Sequence, residues 1–175
     1  MDKRLLTCCF TGHRTFRPGE LPHIQAALER HILTLHDERG VRYFGAGGAL
    51  GFDTLAAETV LDLRSALRPD LRLILVLPCM DQADRWPLKD LEKYESIKLR
   101  ADKVVVLAES YRTGVMHARN RHLVDHAGWC VCYHYKNEGG TAYTVDYARR
   151  QGLAVFNCAW LYIWPYDVLL GFFSL

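Results

Sequence analysis

The chain has 175 residues, of which 50% are hydrophobic, and carries a formal net charge of +2. That length and apolar fraction fit a single domain with a sizeable core and argue against a second. The near-neutral balance excludes a global field for wrapping nucleic acid and points to a small partner.

The apolar run Leu5–Phe10 is too short for the core of a secretion signal and is followed at once by Thr11-Gly-His-Arg14. It reads as a first strand, and the expected location is the cytoplasm. Leu21–Arg39 carries apolar residues at helical spacing (Ile24, Ala27, Leu28, Ile32, Leu35), and Val41–Phe44 is a second strand. Asp53 to about Leu67 is helical until Pro69-Asp70 breaks it, and Leu71–Leu77 is a third strand. A helix over Pro87–Ala101 and a strand over Lys103–Leu107 follow, proline being tolerated in a first helical turn. Val115–Ala127 reads as helix, Trp129–Tyr135 as strand, Thr141–Gln151 as helix and Leu153–Asn157 as a last short strand. Gly40, Gly128 and Gly152 each fall just past a helix, where a left-handed cap favours glycine.

Apolar strands alternating with helices predict a parallel sheet covered on both faces. The expected fold is therefore α/β: a Rossmann-like, three-layer α/β/α domain with a mainly parallel sheet, over residues 1–157. Beyond it, Cys158–Leu175 is nearly all apolar and aromatic, but Pro165, Asp167 and its length argue against a membrane span. This tail is expected to pack on the domain or on a second subunit, giving a homo-oligomer. The six cysteines lie mostly in strands, as reduced core thiols do, so no disulfide is expected. Cys130-Val-Cys132 lacks the knuckle spacing of a zinc site, and no metal is expected.

In such folds ligands lie beyond the carboxyl ends of the strands. Two turns at that rim carry paired glycines: Gly45-Ala-Gly47-Gly48-Ala-Leu-Gly51-Phe-Asp53 and Asn137-Glu-Gly139-Gly140-Thr141. Unblocked amides at a helix N-terminus form a ready phosphate site, and two such turns suggest a nucleotide-sized ligand. Gly12, His13, Gly47, Gly48, Gly51, Gly139, Gly140 and Thr141 are the candidate cradle, with Arg14 and Arg112 as anion binders. Asp53 opens a helix, so its plainest role is an N-cap, with ribose binding as the alternative. Gln82 and Trp86 could grip a base by hydrogen bond and by stacking. Arg119, early in a helix that follows a rim loop, completes the set.

Phe10-Thr-Gly-His-Arg14, Gly47-Gly-Ala-Leu-Gly51-Phe-Asp53-Thr-Leu-Ala-Ala-Glu58, Leu77-Pro-Cys79 with Gln82 and Trp86, Met116-His-Ala-Arg119-Asn120-Arg121 and Gly139-Gly-Thr141-Ala-Tyr143 together resemble the YpsA-like family. That family lies in the SLOG superfamily with the cytokinin-activating phosphoribohydrolases and the DNA-processing protein DprA. The resemblance runs from about Leu5 to Asn157 and implies a Rossmann-like pocket for a nucleotide or nucleotide-derived ligand of the ADP-ribose or NAD kind. In the phosphoribohydrolase branch an arginine on the Met-x-x-Arg helix and a glutamate after Gly-Gly-x-Gly-Thr cleave the N-glycosidic bond. Arg119 matches the arginine. The glycine motif departs, reading Gly139-Gly140-Thr141-Ala-Tyr, and its acid is the shorter Asp146. A hydrolase would need Asp146 or Glu58 to activate water or steady an oxocarbenium-like centre. Binding or sensing is thus the first reading and N-glycosidic hydrolysis of a nucleotide the alternative. DprA-like binding of single-stranded DNA is the weaker third, since that mode calls for a basic groove interleaved with aromatics.

Overall fold

The computed structural model describes residues 2–159, in which six strands and five helices alternate. They are β1 (Thr7–Gly12), α1 (Leu21–Arg39), β2 (Tyr43–Ala46), α2 (Phe52–Ala66), β3 (Arg72–Leu77), α3 (Leu88–Arg100), β4 (Lys103–Val106), α4 (Val115–Asp125), β5 (Trp129–Tyr133), α5 (Gly139–Arg150) and β6 (Ala154–Asn157). The sheet runs β4-β3-β2-β1-β5-β6 and is parallel throughout. From β1 the chain steps outward to β4, then returns across the sheet to β5, so strand order reverses between β1 and β5. Their register ends together, with Gly12 opposite Tyr133.

Period-two alternation sends side chains of each strand to two different cores. Cys8 and Phe10, Leu73, Leu75 and Leu77, and Val131 and Tyr133 join the layer made with α1, α2 and α3. Cys9, Val76, Cys130 and Cys132 join the smaller layer made with α4 and α5. Phe44 and Leu75 are fully enclosed, and each such side chain stabilises the fold by roughly 1.5–3 kcal/mol. The result is the three-layer α/β/α domain read from the sequence. Among the described residues no helix is long and apolar enough to cross a membrane. The apolar tail, from residue 160 onward, lies outside the described residues.

Three local readings are corrected. The first strand begins later than Leu5, because Lys3–Leu6 form a turn of 3-10 helix capped by the Asp2 carboxylate on the Arg4 amide. Gly40 and Gly152 take the left-handed conformation, whereas Gly128 does not: a Cβ there would press on the Arg4 carbonyl at 3.0 Å. Gly128 is small so that the N-terminal turn can lie against it, and its amide donates to Thr7 O. The glycine pair Gly139-Gly140 forms the first two residues of α5 and does not precede the helix.

All six cysteines are buried and free. Burial pushes the Cys79 thiol up to about 11 and that of Cys158 up to about 12. Since the thiolate is the reactive form, iodoacetamide at pH 8 is expected to leave the native protein unmodified and to label it only on denaturation. Rapid labelling of any cysteine in the folded state would contradict this packing.

Candidate functional site

All five helices start at the carboxyl rim without a side-chain cap, and three of them meet at one place: α2 after Gly51, α4 after Gly114 and α5 after Glu138. Their first turns carry partial positive charge from aligned peptide dipoles and orphan amides. Between them lies a cleft of about 320 Å³, beside the point where strand order reverses. Thr11 and Gly12 at the end of β1, with His13 and Arg14 after it, form one edge, and Ala49 after β2 with Asp53 of α2 another. Met116, Arg119 and Asn120 of α4, with Gly140 and Thr141 of α5, close the other side.

At the base of the cleft Arg119 is only 6% exposed and Asp53 only 5%. Arg119 Nη1 donates to Asp53 Oδ2 at 2.9 Å, and the Ala49 amide approaches the same oxygen at 3.4 Å. Arg119 Nε is buried with no hydrogen-bond partner. A buried guanidinium offers five donors in a planar fork, so Asp53 leaves much of its capacity unused. Asp53 is therefore an ion-pair partner and not the expected N-cap: the cap position is Gly51, and Asp53 sits one residue inside α2.

The walls are fixed by backbone ties. His13 N donates to Tyr133 O, and Phe52 N donates to His13 O, both at 3.2 Å, binding the loop after β1 to β5 and to α2. Tyr135 N donates to His13 Nε2, which leaves Nδ1–H as that ring's donor. Burial, together with nearby His134 and Lys136, lowers the His13 pKa and favours the neutral ring. Asn120 Nδ2 donates to Thr144 Oγ1, which donates to Gly140 O, so α4 and α5 are bound together at the cleft. Further out, Glu20 accepts from Arg17 Nε at 2.8 Å and from the Tyr133 hydroxyl at 2.6 Å. Burial and that carboxylate push the Tyr133 hydroxyl up to about 12. The segment from Arg14 to Glu20 is thereby pinned to the end of the sheet.

The structure brings Gly12, His13, Arg14, Asp53, Arg119, Gly140 and Thr141 together. Gly139 adjoins them at the start of α5. Gly47 lies beneath Arg119, where any Cβ would overlap the guanidinium. Gly48 contacts Leu77 and Gln82, and Gly51 packs on the backbone of Arg14. Gln82 donates to Gly48 O at 3.1 Å and to the Tyr94 hydroxyl at 3.2 Å, so it braces the first glycine turn from behind. Trp86 packs edge-on against Tyr94. Arg112 is exposed on its loop, away from the cleft lining. Both candidate acids fall elsewhere: Glu58 pairs with Lys93 at 3.2 Å, and Asp146 is on the surface beside Arg149. Thr11, Ala49, Met116 and Asn120 line the cleft although no role was read for them. Met116, Arg119 and Asn120 are at positions i, i+3 and i+4, one face of a helix, and that spacing was the available signal.

A six-stranded parallel sheet between two helical layers, with a polar cleft and a buried arginine at its crossover, defines a Rossmann-like domain. A family model described as the YspA SLOG family (YpsA) matches residues 8–161, and the chain belongs to that family. Among its relatives, a UPF0398 protein of Bacillus licheniformis is 28% identical over 150 residues, covering 80% of this chain and 81% of the relative. The UPF0398 protein YpsA of Bacillus subtilis is 26% identical over 151 residues, covering 81% and 83%. Of solved structures, DprA from Streptococcus pneumoniae superposes with a TM-score of 0.62 at 17% identity, covering 96% of this chain. The chain spans 58% of that protein's length. DprA from Helicobacter pylori, described for its single-stranded DNA binding mode, gives 0.60 at 18% identity, covering 97% of this chain and 75% of its own.

Proposed function

We propose that this domain binds or senses a nucleotide or nucleotide-derived ligand, of the ADP-ribose or NAD kind, with its phosphate in the cleft between α2, α4 and α5. The observation that carries this is the convergence of three uncapped helix starts on the half-satisfied guanidinium of Arg119. Gly139, Gly140 and Thr141 supply amides to phosphate oxygens, Arg14 and Arg119 neutralise them, and Asp53 holds Arg119 in place. Among the cleft-lining residues Asp53 is the one carboxylate, and it is committed to Arg119. A glycosidase needs an acid free to act on water or the leaving base, so this arrangement favours binding over turnover.

Thermal unfolding with ADP-ribose, NAD, AMP and a short single-stranded DNA tests the reading. A ligand at a hundred times its Kd adds about 2.7 kcal/mol, which for a chain of this size is a rise of roughly 5–10 °C. At least one of the small nucleotides is expected to produce it. Arg14→Ala, which removes an exposed side chain, is expected to weaken that ligand about tenfold with the unliganded Tm unchanged. A rise with the oligonucleotide alone would move the assignment to nucleic acid, and no rise with any of them would sink it.

A further inference from the structure

Arg14 lines two depressions at once. One is the phosphate cleft just described; the other, of about 380 Å³, lies on the far side of Arg14 along α2 and the start of α3. The partition between them is rigid. Gly51, with φ of +80°, packs directly on the Arg14 backbone, and a Cβ there would overlap it. The clamp of Glu20 on Arg17 and Tyr133 holds the following segment. The Arg14 side chain, by contrast, is exposed and makes no hydrogen bond or ion pair among the described residues.

The two hollows differ in chemistry. The cleft gathers cationic groups and helix N-termini. The outer groove is lined by the apolar Phe16, Leu21, Leu50 and Leu55, and by Asp90 and the ion pair of Glu58 with Lys93. Leu21 is 43% exposed there. Carboxylates repel phosphate but accept hydrogen bonds from hydroxyls and ring amines, and an apolar lining favours a flat ring.

We propose that the outer groove is a second subsite, which takes the uncharged ring end of the ligand whose phosphate occupies the cleft, with Arg14 lying across the junction. This rests on the reading of the cleft and adds an orientation to it: phosphate and sugar inward beside Arg119, the base outward over Leu55 toward Glu58 and Asp90. The ligand class is thus a nucleotide with its base outside the cleft, and Glu58 acts as a binding group, not an acid catalyst.

Two probes separate the subsites: ribose 5-phosphate, which fits the cleft alone, and AMP, which reaches both. Their affinities are to be measured by calorimetric titration on wild type, Glu58→Gln and Asp90→Asn. Neutralising a carboxylate near Arg14 raises the local attraction for phosphate, so ribose 5-phosphate should bind as well as before or slightly better. AMP should bind about tenfold more weakly to each variant, because a hydrogen bond to a charged group is lost. Opposite signs cannot arise from a general charge effect. If AMP is unaffected, or both probes weaken together, the outer subsite is wrong while the cleft reading stands. If wild type binds ribose 5-phosphate but not AMP, the subsite is again overturned. If it binds neither, the cleft reading falls and takes this one with it.

Discussion

Gly47→Ala is expected to lower the unfolding free energy by about 3–5 kcal/mol, the range for breaking a buried ion pair, and to abolish any response to a nucleotide. The backbone at Gly47 is not left-handed, so alanine brings no conformational penalty of its own. What it brings is a methyl group in the volume held by the Arg119 guanidinium. The side chain is buried at the base of the cleft and can yield only by giving up its place beside Asp53, whose Oδ2 is also in that methyl's way at 2.7 Å. Either Arg119 swings out and leaves Asp53 charged and unpaired, or the turn moves and α2 with it. Gly140→Ala is the control. No atom lies within 4 Å of a Cβ at that position, and alanine is favoured over glycine inside a helix by about 0.5–1 kcal/mol. That variant should be as stable as wild type or more so, yet bind nucleotide less well because Gly140 lines the cleft and an added methyl narrows the approach to its amide. Chemical denaturation of both variants checks the pair, and equal stability of Gly47→Ala and wild type would refute the argument.

The contrast between these glycines marks how far the sequence could be read. Both pairs announced a turn at the rim, but only coordinates distinguish a glycine that makes room for a side chain from one that faces open space. The layers were legible because hydrophobic period fixes them: Leu73, Leu75 and Leu77 alternate with Ile74 and Val76, and the alternation sorts them to opposite cores. Asp53 was misread as a cap because its partner is 66 residues away, and no local rule reports a long-range ion pair. Glu58 and Asp146 were drawn toward the chemistry by their motifs. Each is five residues past a cleft residue, Asp53 and Thr141, and five residues turn a helix by roughly 140°. Helical phase alone carries both acids away from the cleft. The same phase, applied to Arg119, would have recovered Met116 and Asn120.

Asp53 and Arg119 should behave as one unit whose removal in full costs far less than its removal in part. Asp53→Leu alone strands a buried guanidinium, and Arg119→Met alone strands a buried carboxylate; each is expected to cost about 3–5 kcal/mol. The double variant Asp53→Leu/Arg119→Met fills similar volume with apolar groups, leaving the Ala49 amide, already at 3.4 Å from the carboxylate, as the donor that loses an acceptor. It should recover to within about 2 kcal/mol of wild type, since a buried ion pair and a well-packed apolar pair are often close in stability. The coupling energy from this cycle is then several kcal/mol, beyond the usual error of additivity. Nucleotide binding should not return with stability: the double variant has lost the planar fork at the base of the cleft while keeping the helix starts around it. A double variant as unstable as either single one would show that the pair does not act as a unit. A double variant that folds and still raises its Tm with nucleotide would place the phosphate somewhere other than beside Arg119.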